Sequence, residues 1–400
     1  MNTLTDMAGN ASGPHARIVY TFSIDWLGHR RMIPRSEHAL LPGYLAGDAL
    51  HRLQNRQAAL LLDDCTEACR FSKQLGAALI TLFEDTRVPL SSVFVVSQNR
   101  AFLRDLASWL AATGRPNISS WYYSYYLASI AARSRNHFSR AGVWRDHVSM
   151  AWHRIVGETS GERKFICMNN MPKPHRLGVL VNLITEGFIQ DGFVSFAGNE
   201  VIKEPYHDVE DLVLAVSQVL DVGGARRQQI LETLRTIHGG PGLSIDRVVP
   251  GVMRCGDIVN DLNSEFFGKS LFTIHCETEF TAGKCCRITE KTFKPLINFH
   301  PFVLFGDPGA LALIRDLGFK TFSPFIDERY DEELDPHRRF ELAWREVARL
   351  ARMSKRELRH RVRQLWPVLQ YNAEYALDGL RDHLLFKCGF PVLEGICRFQ

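Results

Sequence analysis

Charged side chains cluster where two apolar runs end in the segment 272–306, FTIHCETEFTAGKCCRITEKTFKPLINFHPFVLFG. The runs at 272–275 and 301–305 have the composition of buried strands in a parallel sheet, so charge beside them needs a chemical reason. Cationic side chains and backbone N–H groups at a helix N-terminus bind phosphate, and carboxylates accept hydrogen bonds from sugar or ribose hydroxyls. The segment therefore predicts a site for a phosphorylated, hydroxyl-bearing ligand such as a nucleotide sugar. The candidate donor-binding residues are Glu277, Glu279, Arg287, Thr289, Glu290, Lys291 and Lys294.

The same residues have a simpler structural interpretation. Threonine is a preferred helix N-cap, and glutamate is favoured in the first turn, where its charge complements the helix dipole. On this interpretation Thr289 caps the helix, and Glu290 and Lys291 are solvated residues of its first turn. The residue types alone leave both interpretations open.

A second polar loop, NNMPKPHR at 169–176, follows an apolar run at 165–168. Its two prolines and the helical pattern after them place Arg176 at the start of a helix, where a phosphate would bind. His175 and Lys173 are weaker candidates for the same ligand. The alternative is a solvated loop followed by a surface arginine.

Three acids near the end of an earlier strand are candidates for proton transfer. Asp63, Asp64 and Glu67 follow the apolar run at 58–62, and Asp25 follows the first strand as a rival. Transfer of a group to a hydroxyl needs a carboxylate that takes the hydroxyl proton while the leaving group departs. The alternative is that these acids cap helices at strand-to-helix turns.

Strands and helices alternate along most of the chain, which predicts parallel sheets covered on both faces. We expect strands at 17–24, 58–62, 93–96, 165–168 and 193–196, and helices at 66–84, 100–113, 176–186, 209–219 and 226–238. The aromatic stretch from 120 to 155 reads as one long helix, and the glycine-containing segment 157–161 after it has linker composition. After residue 322 the pattern is helical to the end, at 339–350, 355–365 and 371–386, with Asp335-Pro336 as a start signal.

The order of the motif residues resembles a known family. Glu277, a loop, Thr289-Glu290-Lys291, an apolar helix and the run 301–306 follow one another as in the donor-binding motif of α1,3-fucosyltransferases. The resemblance covers this segment and, more faintly, the chain from Lys164 onward. That family commonly has a tyrosine where this chain has Arg287 and an asparagine near Lys294, so this segment is the more cationic.

The resemblance implies a GT-B glycosyltransferase, an α/β protein with two Rossmann-like domains that face each other across a cleft. Arg176 matches, by order, the arginine that binds the donor diphosphate in that family. The domain prediction is a disordered lead at 1–16, an acceptor domain at 17–156, a donor-binding domain at 163–335 and C-terminal helices at 336–400 that pack back on both. The transfer is expected to be inverting, with a glycan or related hydroxyl as acceptor.

Composition excludes several other classes of protein. With 400 residues and 46% hydrophobic content the chain can bury a large core, and a net charge of +4 is too small for a general polycation. Nine cysteines, an odd number, and no signal-like start argue against a disulfide framework and for a reducing compartment. No run is long enough to span a bilayer, so we expect a cytoplasmic protein, with peripheral contact at the inner face of a membrane as the alternative.

Missing motifs narrow the chemistry further. The chain has neither a Gly-x-Gly-x-x-Gly nor a P-loop sequence, which argues against dinucleotide oxidoreductases and P-loop NTPases. No Asp-x-Asp follows a strand to hold a metal ion, so we expect no metal and no cofactor. Cationic side chains would then stabilise the leaving diphosphate.

A rival function comes from the basic C-terminal helices. Most of their ten cationic residues could face solvent, or they could bind nucleic acid, an anionic membrane or a lipid-linked or polyanionic acceptor. The residues are Arg338, Arg339, Arg345, Arg349, Arg352, Lys355, Arg356, Arg359, Arg361 and Arg363.

Overall fold

The computed structural model describes residues 18–23, 47–64, 69–157, 162–169, 171–196, 205–240, 262 and 264–384. It divides into two compact units. The first contains the described residues up to Ala128, the short segment Lys284–Arg287 and the chain from Arg381; the second contains Ser129–Gly283 and Ile288–Leu380. Each unit is built on its own four-stranded parallel sheet, which confirms the predicted α/β class.

The sheet of unit 1 has the strand order β1-β2-β3-β4, with every neighbouring pair parallel. Its strands are β1 (Ile18–Ser23), β2 (Ala58–Asp64), β3 (Val93–Ser97) and β4 (Ser119–Tyr122). The helices between them are α1 (Gly47–Gln54), α2 (Lys73–Asp85) and α3 (Arg100–Ala112). Helix α2 begins later than the predicted 66–84 because Ser72 caps it, accepting a hydrogen bond from the N–H of Leu75.

Apolar side chains cover both faces of this sheet. Successive residues of a strand point to opposite faces, so a strand buried on both sides reads as a continuous apolar run. One core cluster contains Leu60, Leu62, Val93 and Val95, and a second contains Ala59, Leu61, Phe94 and Val96. This is why the runs at 58–62 and 93–96 are recognisable from sequence.

The predicted helix at 120–155 is wrong. Its first residues form strand β4, where Trp121 pairs with Val96 of β3, as expected for aromatic residues on a pleated surface. The rest divides into α4 (Tyr125–Phe138) and α5 (Val143–Val156), and Gly142 between them has a φ of 84°, which ends a right-handed helix.

Helix α5 is held by unit 2. Arg154, almost fully buried, donates to the carbonyl oxygens of Phe267 and Phe299, both at 2.8 Å. His147 on the same helix lies 3.0 Å from the carbonyl oxygen of Ile297. The predicted linker follows at 157–161, where residues 158–161 lie outside the described part of the chain.

The sheet of unit 2 has the order β6-β5-β7-β8, again all parallel. Its strands are β5 (Phe165–Met168), β6 (Gly192–Ser195), β7 (Phe272–Cys276) and β8 (Phe302–Phe305). The helices up to the last strand are α6 (Pro174–Thr185), α7 (Val209–Val216), α8 (Arg227–Gly239), α9 (Ser264–Phe267) and α10 (Glu290–Ile297). Strand β5 has β6 on one side and β7 on the other, so the direction of winding reverses between β5 and β7.

Helices complete unit 2, as the sequence predicts. They are α11 (Ala310–Asp316), α12 (Pro336–Arg352), α13 (Lys355–Gln364) and α14 (Trp366–Glu374), followed by a π-helical turn Tyr375–Gly379. A last short helix, α15 (Leu380–Asp382), begins at the final residue of unit 2 and continues into the part of the chain that groups with unit 1. Helix α12 starts at the predicted signal, because Asp335 accepts from the N–H of Arg338 and Pro336 occupies the first turn. The end of the predicted helix at 371–386 lies partly outside the described residues.

Candidate functional site

The reversal of winding between β5 and β7 marks the candidate site. In open parallel sheets, ligands bind outside the carboxyl ends of the strands where the strand order reverses, because the two connecting chains leave in opposite directions and open a crevice. The loop after β5 contains Lys173, His175 and Arg176, and the loop after β7 contains Glu277 and Glu279. Both predicted donor-binding segments therefore lie at the same switch point.

Hydrogen bonds join these two loops. His175 Nε2 lies 2.9 Å from the carbonyl oxygen of Glu277, and an Nη atom of Arg176 donates to that same oxygen at 3.0 Å. Lys173 Nζ donates to the carbonyl oxygen of Thr278 at 2.7 Å and lies 3.4 Å from a carboxylate oxygen of Glu279. Cations of the first loop thus fix the backbone of the second.

Glu277 organises the start of helix α10 from within the protein. Its Oε1 accepts from the N–H of Thr289 at 2.9 Å and from the hydroxyl of Thr292, and its Oε2 accepts from the hydroxyl of Thr289 at 2.9 Å and the N–H of Thr278 at 3.0 Å. His275 Nε2 lies 3.4 Å from Oε1 and 2.9 Å from the hydroxyl of Thr292. A carboxylate with this many donors is occupied before any ligand arrives.

The electrostatics agree with this internal role. Burial alone would raise the pKa of Glu277, but contacts with His275, the charge of Lys291 and the hydroxyl of Thr292 together hold its pKa far below the usual range. Only 1% of the residue is exposed. Glu277 is therefore an ionised, buried anchor between β7 and α10.

The start of α10 combines both interpretations of the motif. Thr289 is the N-cap, its hydroxyl accepting from the N–H of Lys291 at 3.3 Å, as the structural interpretation expects. Glu290 is buried rather than solvated, and Lys291 Nζ lies 2.6 Å from its Oε1. The side chain of Lys291 is 37% exposed, so it presents a cation to solvent at the N-terminus of an eight-residue helix.

The remaining predicted cations are buried. Arg176 is 4% exposed and also donates to the carbonyl oxygen of Met171 at 3.2 Å; burial lowers its pKa. Its Nε is buried with no hydrogen-bond partner among the described residues. Arg287 and Lys294 are each 7% exposed, and Arg287 falls in the segment that groups with unit 1. Arg176 was predicted to bind the donor diphosphate, and the structure shows its guanidinium holding the backbone of the loop after β7.

The candidate bases of unit 1 are in different environments. Asp64 is fully buried at the end of β2 and accepts from the hydroxyl of Ser97 at 2.5 Å and from the N–H of Cys69 at 3.1 Å. Asp63 is partly exposed on the opposite face of the strand. Glu67 and Asp25 lie outside the described residues.

Two further residues lie at this edge of unit 2: Asp307, which the sequence argument did not name, and Arg339, which it assigned only to the basic C-terminal helices. Asp307 follows β8 and accepts from both the N–H and the hydroxyl of Thr281, while its Oδ2 is buried without a partner among the described residues; burial raises its pKa. Arg339 donates to the carbonyl oxygens of Gly306 at 3.1 Å and Thr281 at 2.5 Å. An acid directly after a strand is the signal that identified Glu277, and it also applies to Asp307.

Most of the basic C-terminal residues are engaged within the protein. Arg338 and Arg345 both contact Glu341, and Arg349 contacts Glu346. The other ion pairs are Arg352 with Glu186, Arg359 with Glu162 and Arg361 with Glu357. Lys355 donates to the carbonyl oxygen of Glu162, and Arg363 lies over the ring of Trp152. This pattern is typical of an ion-paired helix surface.

Within the described residues, no three His, Cys, Asp or Glu side chains are grouped so that they could hold a metal ion. In the same part of the chain, no helix has the length and apolar character needed to cross a membrane.

Comparison with solved structures finds matches that include two trehalose-phosphate synthases. No protein-family model matches the chain, and no curated protein sequence matches it. An α,α-trehalose-phosphate synthase (UDP-forming) from Burkholderia vietnamiensis aligns with a TM-score of 0.37 and 14% identity over 85% of this chain and 72% of that one. An α,α-trehalose 6-phosphate synthase from Burkholderia multivorans aligns with a TM-score of 0.37 and 12% identity over 98% and 74%. Neither similarity assigns a residue role or a substrate to this chain.

Proposed function

We propose that this protein is a glycosyltransferase that moves a sugar from a nucleotide-sugar donor to a hydroxyl of a glycan or related acceptor. The observation that supports it best is the meeting of the two motif loops at the switch point between β5 and β7. That edge combines a partly exposed lysine at a helix N-terminus with carboxylates, and these groups can bind the phosphates and the hydroxyls of a nucleoside diphosphate sugar.

Each residue of the edge has a role in this proposal. Lys291 binds the diphosphate, since its side chain is the cation that the start of α10 presents to solvent, at the positive end of the helix dipole. Glu290, ion-paired with Lys291, accepts a hydrogen bond from a sugar or ribose hydroxyl. Lys173 and Glu279 form a second, partly exposed ion pair that borders the ligand.

Glu277 and Arg176 act by positioning in this scheme. Glu277 fixes the cap residue Thr289, and Arg176 fixes the backbone of Glu277, so both hold the binding groups in place without touching the ligand. Arg287 and Lys294 add positive charge near the motif from buried positions. This assignment differs from the direct ligand contacts that the sequence resemblance implies for Glu277 and Arg176.

The chemical step is proposed to be inverting and independent of metal. The acceptor hydroxyl attacks the anomeric carbon, the bond to the diphosphate breaks, and a carboxylate takes the hydroxyl proton. Asp63 is the candidate proton acceptor, because Asp64 is buried and hydrogen-bonded within unit 1. Lys291 and the N-terminus of α10 would stabilise the negative charge on the leaving diphosphate.

Binding of nucleoside diphosphates tests the donor site. A ligand that binds only the folded state raises the melting temperature, so thermal unfolding is measured with GDP, UDP, CDP, ADP and dTDP and with the corresponding sugar conjugates. We expect one base to raise the melting temperature of the wild type and of Lys269→Met. Lys269 is a matched control, since it precedes β7 at the opposite end of the strand and pairs with Glu265.

The variant Lys291→Met should lose this shift, measured against its own melting temperature without ligand, which we expect to be lower than that of the wild type because the buried Glu290 loses its ion-pair partner. A shift of equal size in Lys291→Met would contradict the assignment of the diphosphate. No shift with any nucleotide would overturn the proposed function.

A further inference from the structure

The loop 278–283, which follows β7 and Glu277, is held at its centre by residues of two helices. Phe280 stacks on the ring of His175 at the start of α6, with the ring centroids 5.3 Å apart and an interplanar angle of 16°. The guanidinium carbon of Arg339, on α12, lies 4.3 Å from the centroid of the Phe280 ring. Both contacts are of kinds that stabilise an aromatic side chain beyond its burial.

Thr281, the next residue of this loop, is held through its backbone and its side chain. Its N–H and its hydroxyl both donate to Asp307 Oδ1, the hydroxyl at 2.7 Å. Its carbonyl oxygen accepts from Arg339 at 2.5 Å. The N–H, the carbonyl and the hydroxyl of Thr281 therefore all bond to residues outside the loop, whereas polar groups of surface loops commonly bond to water.

Arg339 can hold the loop because it is itself fixed. It is 1% exposed, and it also donates to the carbonyl oxygens of Gly306 at 3.1 Å and Glu333 at 2.7 Å. Burial lowers its pKa to about 10, with the charge of Asp307 opposing the shift, so it stays a cation at neutral pH. One guanidinium thus joins the loop after β7 to the end of β8.

The residue that these contacts place is Glu279. It directly precedes Phe280, its side chain is 21% exposed, and it pairs with Lys173 at 3.4 Å. On its other side, the carbonyl oxygen of Thr278 accepts from Lys173 at 2.7 Å. The backbone on both sides of Glu279 is therefore fixed, and a carboxylate that is fixed in advance binds a hydroxyl at a lower cost in ordering.

We propose that Phe280 and Arg339 are positioning residues of the donor site. They hold Glu279 where its carboxylate accepts a hydrogen bond from a hydroxyl of the bound nucleotide sugar. This inference rests on the proposed function, because it assigns a ligand group to the pair of Glu279 and Lys173. It also gives one of the basic C-terminal residues a part in the site.

Three variants separate the ring of Phe280 from its apolar bulk. Phe280→Leu keeps an apolar side chain and removes the ring, and Phe280→Tyr keeps the ring. Phe188→Leu is the matched control, because Phe188 also lies near an arginine of α12, Arg352 at 5.7 Å, but precedes β6 at the amino ends of the strands. Phe280 and Phe188 are both partly exposed, so we expect all three variants to fold, which thermal unfolding verifies.

Hydrogen exchange of the protein without ligand tests the contacts directly. The amides of the loop 278–283 should exchange at least about tenfold faster in Phe280→Leu than in the wild type, since local opening becomes easier. They should exchange at the wild-type rate in Phe280→Tyr and in Phe188→Leu. Unchanged exchange in Phe280→Leu would overturn the proposal, whatever the protein binds.

Isothermal titration with UDP-, GDP-, ADP-, CDP- and dTDP-glucose tests the consequence for the donor. The compound that binds the wild type most tightly should bind Phe280→Leu at least about fivefold more weakly, and should bind Phe280→Tyr and Phe188→Leu as it does the wild type. Unchanged binding in Phe280→Leu would overturn this proposal alone. If none of the five binds the wild type, the proposed function fails, and this inference fails with it.

A double variant tests whether Phe280 acts through Glu279. Glu279→Gln should weaken binding, and Glu279→Gln/Phe280→Leu should bind the same compound no more weakly than Glu279→Gln does, because the group that Phe280 positions is already lost. Additive losses in the double variant would show that Phe280 acts by another route and would overturn the proposal.

Discussion

The two parallel sheets of this protein have the same number of described strands but a different order. In unit 1 the order is β1-β2-β3-β4, so each described strand is added on the same side of the last. In unit 2 the order is β6-β5-β7-β8, and the winding reverses beside β5. Since a crevice opens where the winding reverses, the described part of unit 2 has the topology that favours a ligand site, and that of unit 1 does not.

Acidic residues end strands in both sheets, and the comparison shows what topology adds to them. Asp64 at the end of β2 is buried and accepts hydrogen bonds from the hydroxyl of Ser97 and the N–H of Cys69, both in unit 1. Glu277 at the end of β7 is also buried, but its contacts reach the loop after β5 and the start of α10. A buried strand-end carboxylate therefore stabilises the local fold in unit 1, and in unit 2 it also positions the residues of the candidate site.

The largest expected effect is on catalysis at the unit 2 edge. Lys291→Ala and Glu290→Ala should lower sugar transfer by about 10²–10³-fold, because each removes a charged group proposed to contact the donor. Transfer to the acceptor is measured with the donor that stabilises the protein. Arg104→Ala, which removes an exposed cation paired with Asp105 in unit 1, is the control and should retain activity. Normal turnover in either unit 2 variant would contradict the assignment of the donor site to unit 2.

Acid should destabilise unit 2 before unit 1. Burial lowers the pKa of His147, His175 and His300, all in unit 2, with nearby arginines adding to the effect. The unfolded chain then binds more protons than the folded one, so stability falls as pH drops below about 6.5 and returns as pH rises. A histidine that stays neutral in the folded state contributes at most about 1 kcal/mol of this loss between pH 6.5 and 5.5.

Hydrogen exchange at pH 7.5 and 5.5, corrected for the intrinsic rate at each pH, resolves this difference by region. We expect protection in α5, α6 and β7 to weaken at the lower pH. The sheet of unit 1 serves as the internal control, because its described residues include no buried histidine. Equal loss of protection in both units would contradict the prediction.

Neutral isosteres distinguish the roles of the two strand-end acids. Glu277→Gln should lower the free energy of unfolding by about 2–3 kcal/mol, because the amide cannot accept all the hydrogen bonds that the carboxylate accepts. It should also lower nucleotide binding, since Thr289 loses its support. Asp64→Asn should cost about 1–2 kcal/mol and leave nucleotide binding unchanged. If Asp64→Asn weakened binding as much as Glu277→Gln, Asp64 would have a direct role in the site.

The smallest effect separates the packing of two helical glycines. A Cβ at Gly178 in α6 would lie 3.0 Å from the ring of Phe340, which is fully buried, and a Cβ at Gly76 in α2 would lie 3.0 Å from Phe71 and Trp109, which are partly exposed. Alanine favours a helix over glycine by about 1 kcal/mol. Gly76→Ala should therefore be near neutral, and Gly178→Ala should destabilise by about 1 kcal/mol. Equal melting temperatures for the two would show that both sites can relax.

The sequence predicted most of the strands and the positions of the two motif loops correctly. Runs such as 58–62 and 165–168 are apolar throughout because both sheet faces are covered, and Asp335-Pro336 starts α12 through a purely local contact. The motif loops were also correctly placed after buried strands. These features depend on neighbours in the chain, which is the information that a sequence pattern contains.

The sequence did not predict which of the candidate side chains are buried or which groups they bond to. The burial of Arg176 depends on the carbonyl oxygen of Glu277, about a hundred residues later, and the burial of Glu277 depends on Thr289 and Thr292. The aromatic stretch after 120 has helical composition in most of its length, and only pairing with β3 makes its first residues a strand. Long-range partners decided each of these cases.

Because the segment Lys284–Arg287 belongs to unit 1, that unit cannot be completed until much later in synthesis than the rest of its described sheet. Its Cys286 N–H donates to Asn99 Oδ1 at 2.9 Å, and its carbonyl oxygen accepts from the N–H of Arg100 at 2.9 Å, across 187 positions of sequence. At translation rates of about 5–20 residues per second, Asn99 would wait roughly 10–40 s at the ribosome for this partner. In the nascent unit 1, the N–H of Arg100 at the start of α3 would therefore lack its protein acceptor, the carbonyl oxygen of Cys286, until the chain beyond β7 has been made.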